Sequence, residues 1–277
     1  MRLFIATLLA CTSCLLASPG LAAPARDPLE SARWEDMRKL YFPGQRVVFD
    51  DRVRVTAPVT AEDSMNVPVR VDASGLPGVR KVTVFADFNP ILEILRFYPQ
   101  GALASLGFRV KLQQSTPIRA AAQTADGVWH VGGTWVNTAG GGCTAPSTGS
   151  ASPEWQSKLG EVSGRLWLPV AEAPEASAPA QAGKGGKPGQ GNEPVRLRLR
   201  IIHPMDTGLA PGIPAFFVQD LKVTEAGGKE LMRIEAFEPV SENPVFTLDL
   251  PPARAAGPIV VSGRDNNGNA INARIAP

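Results

Sequence analysis

Residues 195–201 alternate without exception between apolar side chains and arginine, in the order Val-Arg-Leu-Arg-Leu-Arg-Ile. A repeat of two is the repeat of a β-strand, so one face of this segment is apolar and the other is charged. A helix would spread the same arginines around its circumference and leave no apolar face to bury. The segment therefore predicts a strand of an antiparallel sheet, with its arginines on a solvated face.

The same repeat recurs along the chain between residues that favour turns. Other alternating runs occur at residues 52–55, 69–71, 108–112, 128–136 and 246–250. The pairs most typical of hairpin turns are Asp126-Gly127, Gly227-Gly228 and Asn267-Gly268. Residues 91–97 fit a helix and a strand equally well. Short strands with frequent turns and no β-α-β spacing predict an all-β protein built from sandwiches.

One short helix is predicted before the strands. Asp27 suits an N-cap, Pro28 suits the first helical position, and Glu30 completes the spacing of a capping box. The residues that would share its apolar face are Trp34, Met37 and Tyr41. We expect this helix to lie on a sandwich, with its apolar face in the core rather than at a cofactor site.

The N-terminus has the parts of a secretory signal peptide. Met1-Arg2 is a basic start, residues 3–16 are mostly apolar, and Gly20-Leu21-Ala22 supplies the small residues of a cleavage site. The apolar stretch is too short to span a bilayer. We expect residues 1–22 to be removed on export to the periplasm. The alternatives are an uncleaved buried helix and a lipoprotein, since residues 8–11 resemble a lipid-attachment box.

Cysteine usage singles out one position. Cys11 and Cys14 lie in the predicted signal peptide, which leaves Cys143 alone in the mature chain. Exported proteins usually hold cysteines in pairs, so a single one is a candidate for reactive chemistry or intermolecular pairing. Gly140, Gly141 and Gly142 precede it and add no side-chain bulk. The sequence predicts a flexible arm with an exposed thiol; the alternative is an inert, buried cysteine.

A change in composition divides the chain. Residues 170–194 contain no aromatic residue and no leucine, isoleucine or methionine. Such a segment cannot bury enough apolar surface to order itself, so we expect a disordered linker. The predicted organisation is a first sandwich with the cysteine arm at residues 27–168, a linker at 169–194 and a second sandwich at 195–277.

Several classes of function find no support. The 28 basic and 26 acidic residues leave a net charge of +2, which gives no electrostatic case for nucleic acid or an anionic membrane. A phosphate-binding loop, a serine-nucleophile elbow and a zinc signature are absent from the sequence. His203 and Asp206 fall short of a metal ligand set, so we expect a turn or an interface role for them. We expect no enzyme activity, cofactor or metal.

Many short motifs occur in order along the mature chain. The first half contains Ala57-Pro58, Ala61-Glu62-Asp63, Val67-Pro68-Val69, Asp87-Phe88-Asn89-Pro90, Asp126-Gly127 and a Gly-Gly-Cys end at Cys143. The second half contains residues 203–208 (His-Pro-Met-Asp-Thr-Gly), 213–217 (Ile-Pro-Ala-Phe-Phe), 241–244 (Ser-Glu-Asn-Pro) and 265–268 (Asp-Asn-Asn-Gly). By these motifs residues 33–146 resemble SoxY, the sulfur-carrying subunit of thiosulfate oxidation, and residues 195–277 resemble its partner SoxZ. The whole chain resembles the fused SoxYZ-like carriers associated with quinoprotein dehydrogenases.

The resemblance implies an immunoglobulin-like sandwich in each half, the two packed together. It implies that Cys143 holds covalently attached sulfur intermediates and that Gly140–Gly142 form the carrier arm, which serves periplasmic redox enzymes. In SoxY the cysteine lies between glycine pairs at a free C-terminus, whereas here Thr144-Ala145-Pro146 follows and the chain continues. A non-covalent adaptor with a vestigial Cys143 therefore stays open as the alternative.

Overall fold

The computed structural model describes residues 26–148, 153–167 and 193–277. The predicted signal peptide and nearly all of the predicted linker lie outside the described residues. Within them no helix has the length and apolarity needed to cross a membrane.

The described residues are mostly β-strand. The first part of the chain contains helix α1 (Trp34–Tyr41) and strands β1 (Val47–Phe49), β2 (Arg54–Thr56), β3 (Thr60–Ala61), β4 (Val67–Asp72), β5 (Val79–Ala86), β6 (Glu93–Pro99), β7 (Ser105–Val110), β8 (Thr116–Thr124) and β9 (Trp129–Thr138). After it come helix α2 (Pro153–Lys158) and strands β10 (Val162–Trp167), β11 (Val195–Ile201), β12 (Val218–Glu225), β13 (Glu230–Ala236), β14 (Val245–Leu250), β15 (Ile259–Asp265) and β16 (Ala270–Ile275). A short 3-10 helix, Pro252–Arg254, follows β14.

These strands form two sheets that face each other across one apolar core. The large sheet has the order β1-β9-β8-β5-β6-β13-β12-β15-β16, with β3 paired to β9, and the small sheet has the order β10-β11-β14-β7-β4-β2. The core contains buried side chains from both parts of the chain. The predicted all-β sandwich is confirmed.

Both sheets run continuously across the two halves of the chain. In the large sheet β6 pairs with β13, and in the small sheet β7 pairs with β14, both antiparallel. The halves therefore share hydrogen-bonded sheets as well as a core. We call residues 26–148 the N-terminal half and residues 153–167 with 193–277 the C-terminal half, and the line along which β6 meets β13 and β7 meets β14 is the seam.

The alternating segment at residues 195–201 is strand β11, as predicted. Its apolar side chains are buried and its arginines are exposed. Strand β10 pairs with it over six antiparallel positions, from Val162–Ile201 to Trp167–Arg196. The predicted boundary at residue 168 had placed this strand in the first domain. Composition marks where the chain lacks apolar residues, but not which sheet a neighbouring strand joins.

The predicted helix is present but starts later than its sequence signals suggested. It begins at Trp34, after a turn in which the carboxylate of Asp27 accepts hydrogen bonds from the backbone N–H groups of Leu29 (3.1 Å) and Ser31 (2.9 Å). Asp27 is no helix cap, because the N-cap position is that of Arg33. The two oxygens of Asp27 also accept hydrogen bonds from the buried Arg119, at 2.8 and 2.7 Å. Asp87 binds the same guanidinium from the other side, at 3.0 Å. Asp27 therefore holds both the turn before the helix and a buried charge pair.

The apolar face of α1 lies on the outer surface of the large sheet. Trp34 and Met37 are buried there against Phe85 and Trp129. The prediction that this face belongs to a core is confirmed. The segment 91–97, which sequence left undecided, lies mostly in strand β6, whose Ile94, Leu95 and Phe97 enter the main core.

Candidate functional site: the cysteine loop at the seam

The cysteine loop, residues 139–147, leaves the end of β9 and runs along residues 112–113. The backbone N–H of Gly141 donates to the carbonyl of Gln113 and that of Gly142 to the carbonyl of Leu112, both at 3.0 Å. The hydroxyl of Ser64 donates to the carbonyl of Gly140 at 2.8 Å. The predicted flexible arm is thus a docked, hydrogen-bonded segment in this structure.

The glycines allow this close approach of two backbones. A Cβ atom on Gly142 would lie 2.1 Å from the carbonyl oxygen of Ser64 and 2.9 Å from that of Leu112. A Cβ on Gly140 would lie 2.4 Å from the carbonyl oxygen of Gln113, and the φ of this residue is +88°. The glycines, which in the sequence indicate a flexible arm, here make room for a neighbouring chain segment.

Cys143 is buried, with 0% of its surface exposed, and is the one free cysteine of the described residues. Its Sγ donates to the carbonyl of Lys111 at 3.4 Å. Burial raises the pKa of the thiol to about 11, although the charge of Lys111 acts in the opposite direction. The prediction of an exposed thiol is wrong. Weak packing was inferred from the small neighbours of Cys143, but the covering residues come from the other half of the chain.

The cover is the segment Met205–Thr207 of the C-terminal half. The hydroxyl of Thr207 donates to the carbonyl of Cys143 at 2.6 Å, and the carboxylate of Asp206 accepts from the backbone N–H of Ser147 at 3.1 Å. The ammonium of Lys111 donates to the carbonyl of Met205. These bonds place Asp206 at the contact between the halves, beside the cysteine loop.

His203 lies behind this segment, within its own half. It is buried, its Nδ1 accepts the backbone N–H of Met205 at 3.1 Å, and its Nε2 lies 3.5 Å from the carboxylate of Asp265. Burial lowers the pKa of His203 to about 4, against the opposing effect of Asp265. The neutral imidazole shapes the turn that presents Asp206. Among the described residues no three histidine, cysteine or acidic side chains are grouped as a metal site would require.

Lys111 is a site residue that sequence reasoning missed. The alternation of residues 108–112 predicted that Arg109 and Lys111 would face solvent, yet Lys111 is 1% exposed. Burial lowers the pKa of its ammonium, and the neighbouring Asp206 opposes that shift. Asn89 fixes this stretch, since its amide donates to the carbonyl of Lys111 (2.9 Å) and accepts from the N–H of Gln113 (3.0 Å). The one signal was Asn89 itself, in the motif Asp87-Phe88-Asn89-Pro90.

The fold and the site together define a sandwich protein in two hydrogen-bonded halves, with a cysteine loop of one half covered by the other. Two family models match the chain: the sulfur oxidation protein SoxY over residues 38–143, and the sulfur oxidation protein SoxZ over residues 186–276. Together they span more than half of the chain. The chain belongs to these families as a fused SoxY–SoxZ protein, of the sulfur-oxidation carrier type. The SoxY match ends at Cys143.

Three solved structures illustrate the similarity. The sulfur carrier protein SoxY from Chlorobium limicola f thiosulfatophilum is 19% identical, with 38% of this chain and 90% of that chain covered and a TM-score of 0.33. A superoxide reductase (neelaredoxin) from Ignicoccus hospitalis is 18% identical, with 31% and 77% covered and a TM-score of 0.28. A putative superoxide reductase from Thermotoga maritima is 16% identical, with 34% and 86% covered and a TM-score of 0.28. No curated protein sequence matches the chain.

Proposed function

We propose that this protein is a periplasmic carrier that holds a sulfur-containing intermediate covalently on Cys143 and presents it to partner enzymes. The observation that carries the proposal is the position of Cys143, at the end of the SoxY match and at the contact of the two halves. The protein supplies the thiol and the docking surfaces, and its partners supply the catalysis. The resemblance to carriers associated with quinoprotein dehydrogenases names the candidate partner.

The docked loop is the resting state of such a carrier. A sulfur atom with no exposed surface and a raised pKa is a poor nucleophile, because the thiolate is the reactive species. Loading therefore requires the cysteine loop to leave its place beside Lys111 and Thr207. Forming a sulfur–sulfur bond between Cys143 and a sulfur anion releases the thiol proton and two electrons, so the loading partner is a redox enzyme that accepts them.

Loading also favours the undocked loop. An attached sulfur group adds heavy atoms to a side chain that is already enclosed on all sides, and a packed interior does not accommodate them. A loaded carrier would then expose its cargo, while an empty carrier would shield its thiol from oxidation. The tether of the loop at both ends limits how far the thiol travels, since a residue spans at most about 3.5 Å.

The burial of Cys143 also favours a second candidate function. If the thiol never leaves its site, the protein is a non-covalent adaptor or accessory binding protein of a periplasmic dehydrogenase, and Cys143 is a small core residue. In that case the two halves would serve only as docking surfaces.

Intact-mass spectrometry of the protein purified from its native periplasm distinguishes the two functions. If the protein is a covalent carrier, its mass should exceed that of the unmodified chain and should return to the unmodified value after treatment with a thiol reductant. The Cys143→Ser variant, purified in parallel, should show no such adduct. An unmodified thiol in the wild-type protein, under conditions in which its partner enzymes are active, would favour the adaptor. The same spectra report whether residues 1–22 have been removed.

A further inference from the structure

A groove of about 810 Å³ lies on the outer face of the small sheet, away from the core. Its lining includes Arg70, Arg109, Arg196 and Arg198, with Trp167 at one end, and we call it the arginine groove. It crosses five adjacent strands, from β10 through β11, β14 and β7 to β4. Neighbouring strands lie about 4.8 Å apart, so the groove is roughly 19 Å long.

The positive charge of the groove is only partly neutralised. A single buried carboxylate, that of Asp249, binds two guanidinium groups, those of Arg70 and of Arg196 (3.1 Å). Arg109 donates to the uncharged amide of Asn66 at 3.3 Å. Arg198 is exposed and forms no ion pair with any of the described residues. Two of the four guanidinium groups thus share one buried carboxylate, and the lining adds one exposed acid, Glu193.

The large sheet shows how this protein otherwise treats surface charge. Three basic residues of this sheet each lie beside a carboxylate of the same sheet. These pairs are Lys222–Glu230 at 3.2 Å, Arg233–Glu235 at 3.5 Å and Arg96–Glu93 at 2.5 Å. A sheet face that is merely solvated can therefore be self-neutralising in this molecule. The arginine groove is not self-neutralising, and the negative charge that would balance its arginines must come from outside the described residues.

The seam passes through the floor of the groove. Gly107 of β7 is paired with Thr247 of β14, and a Cβ on Gly107 would lie 3.3 Å from the Cβ of Thr247. Small side chains at this point keep the floor low between the arginines of the two halves. The groove exists only when the halves are joined, so it belongs to the assembled carrier.

The groove lies near the cysteine loop where strand β7 ends. Arg109 precedes Lys111 by two residues, about 7 Å of extended chain, and the carbonyl of Lys111 accepts the thiol of Cys143. At the β10 end of the groove, Trp167 is 39% exposed, with the guanidinium of Arg165 over its ring at 5.3 Å. A partner held along the groove would contact the strand that leads to Lys111, with an aromatic ring available for one of its apolar side chains.

We propose that the arginine groove binds an extended, carboxylate-rich segment of a partner protein. The length of the groove matches about six extended residues at 3.3 Å each, whereas a single oxoanion would occupy a small part of it. Guanidinium groups bind carboxylates through paired hydrogen bonds, which suits arginine for this task. Binding would not need the thiol, so this surface would act whether or not Cys143 carries cargo.

The test is fluorescence anisotropy of a fluorescein-labelled hexaglutamate peptide titrated with the full-length mature protein at fixed, moderate ionic strength. We expect saturable binding that is at least tenfold weaker in Arg198→Glu and clearly weaker in Trp167→Ala. Arg274→Glu, a matched reversal of an exposed arginine on β16 of the large sheet, should change the affinity less than twofold. Cys143→Ser should bind like the wild type. Thermal unfolding of each variant shows that it is folded.

Four outcomes would overturn the proposal. The first is no saturable binding by the wild-type protein, and the second is an equal loss in Arg198→Glu and Arg274→Glu, which would mean that net charge alone acts. The third is displacement of the peptide by sulfate at matched ionic strength, which would assign the groove to small oxoanions. The fourth is tighter binding of a single-stranded oligonucleotide of the same charge. None of these depends on whether Cys143 is a covalent attachment site.

Discussion

Replacing Gly142 with alanine should expel the cysteine loop from its docked position. The new methyl group would lie 2.1 Å from the carbonyl oxygen of Ser64, and both atoms belong to fixed backbone environments. No real Cβ tolerates such a contact, so either the loop or the Ser64 turn must move. We expect the loop to move, because the Ser64 turn joins β3 to β4 and its carbonyl also accepts the backbone N–H of Leu112 at 2.8 Å.

The expected gain in reactivity follows from the pKa of Cys143. Burial moves the pKa of the thiol from 9.0 to about 11, and below both values two pKa units correspond to about a hundredfold difference in thiolate. A thiolate of lower pKa is the weaker nucleophile, which offsets almost tenfold of that gain. The change in pKa alone thus predicts that the Cys143 thiol reacts about tenfold faster in Gly142→Ala than in the wild type. Steric access adds to this, since the docked sulfur has no exposed surface.

The assay is the rate of reaction with a small aromatic disulfide at pH 7.5, in protein that begins at residue 23. Gly227→Ala is the matched control, because a Cβ on Gly227 would meet no atom within 4 Å. It should label at the wild-type rate. Two results would refute the reasoning: equal rates for Gly142→Ala and the wild type, or a wild-type rate equal to that of a free thiol such as glutathione. The second result would mean that the docked loop is not the main state in solution.

Three further variants test other contacts. Thr207→Val removes the hydroxyl that binds the carbonyl of Cys143, so the docked loop should lose about 1 kcal/mol and label about fivefold faster. Asp27→Ala takes away one of the two carboxylates that neutralise the buried Arg119 and should lower the free energy of unfolding, measured in urea, by about 3 kcal/mol. His203→Asn keeps an acceptor but does not titrate. The pKa of His203 is about 4 in the folded protein and ordinarily 6.5, so the unfolded chain binds more protons between these pH values. The free energy of unfolding of the wild type should therefore fall by about 3 kcal/mol as the pH falls from 6.5 to 4, and that of the variant should fall less.

For each of these variants, one outcome would contradict the prediction. An unchanged labelling rate in Thr207→Val would show that the hydroxyl does not fasten the loop. Asp36→Ala, which removes an exposed carboxylate 3.7 Å from Arg33 on α1, should cost less than about 0.5 kcal/mol, and a cost equal to that of Asp27→Ala would point to a general effect of charge. Equal pH dependence of the wild type and His203→Asn would assign acid sensitivity to carboxylates alone.

The sequence by itself determined the local structure and the kind of protein. The alternation at Val195–Ile201 fixes which side chains enter the core, because the two faces of a strand differ only through that pattern. The spacing of Trp34 and Met37 predicted the buried face of α1 in the same way. The ordered short motifs and the single mature cysteine indicated a SoxY half joined to a SoxZ half. These features are carried by residues close together in the chain.

Only the tertiary structure decided what covers the thiol. Cys143 lies 64 residues before Thr207 and Lys111 lies 94 residues before Met205, and no pattern within either segment reveals that they meet. A lysine that alternates with apolar residues is predicted to face solvent, and only the structure shows that a distant segment of the chain buries it. The same holds for Asp27, whose buried partner Arg119 belongs to β8 and lies 92 residues away in sequence. Periodicity specifies which way a side chain points, whereas burial depends on what lies opposite, and that is set by the pairing of distant strands across the seam.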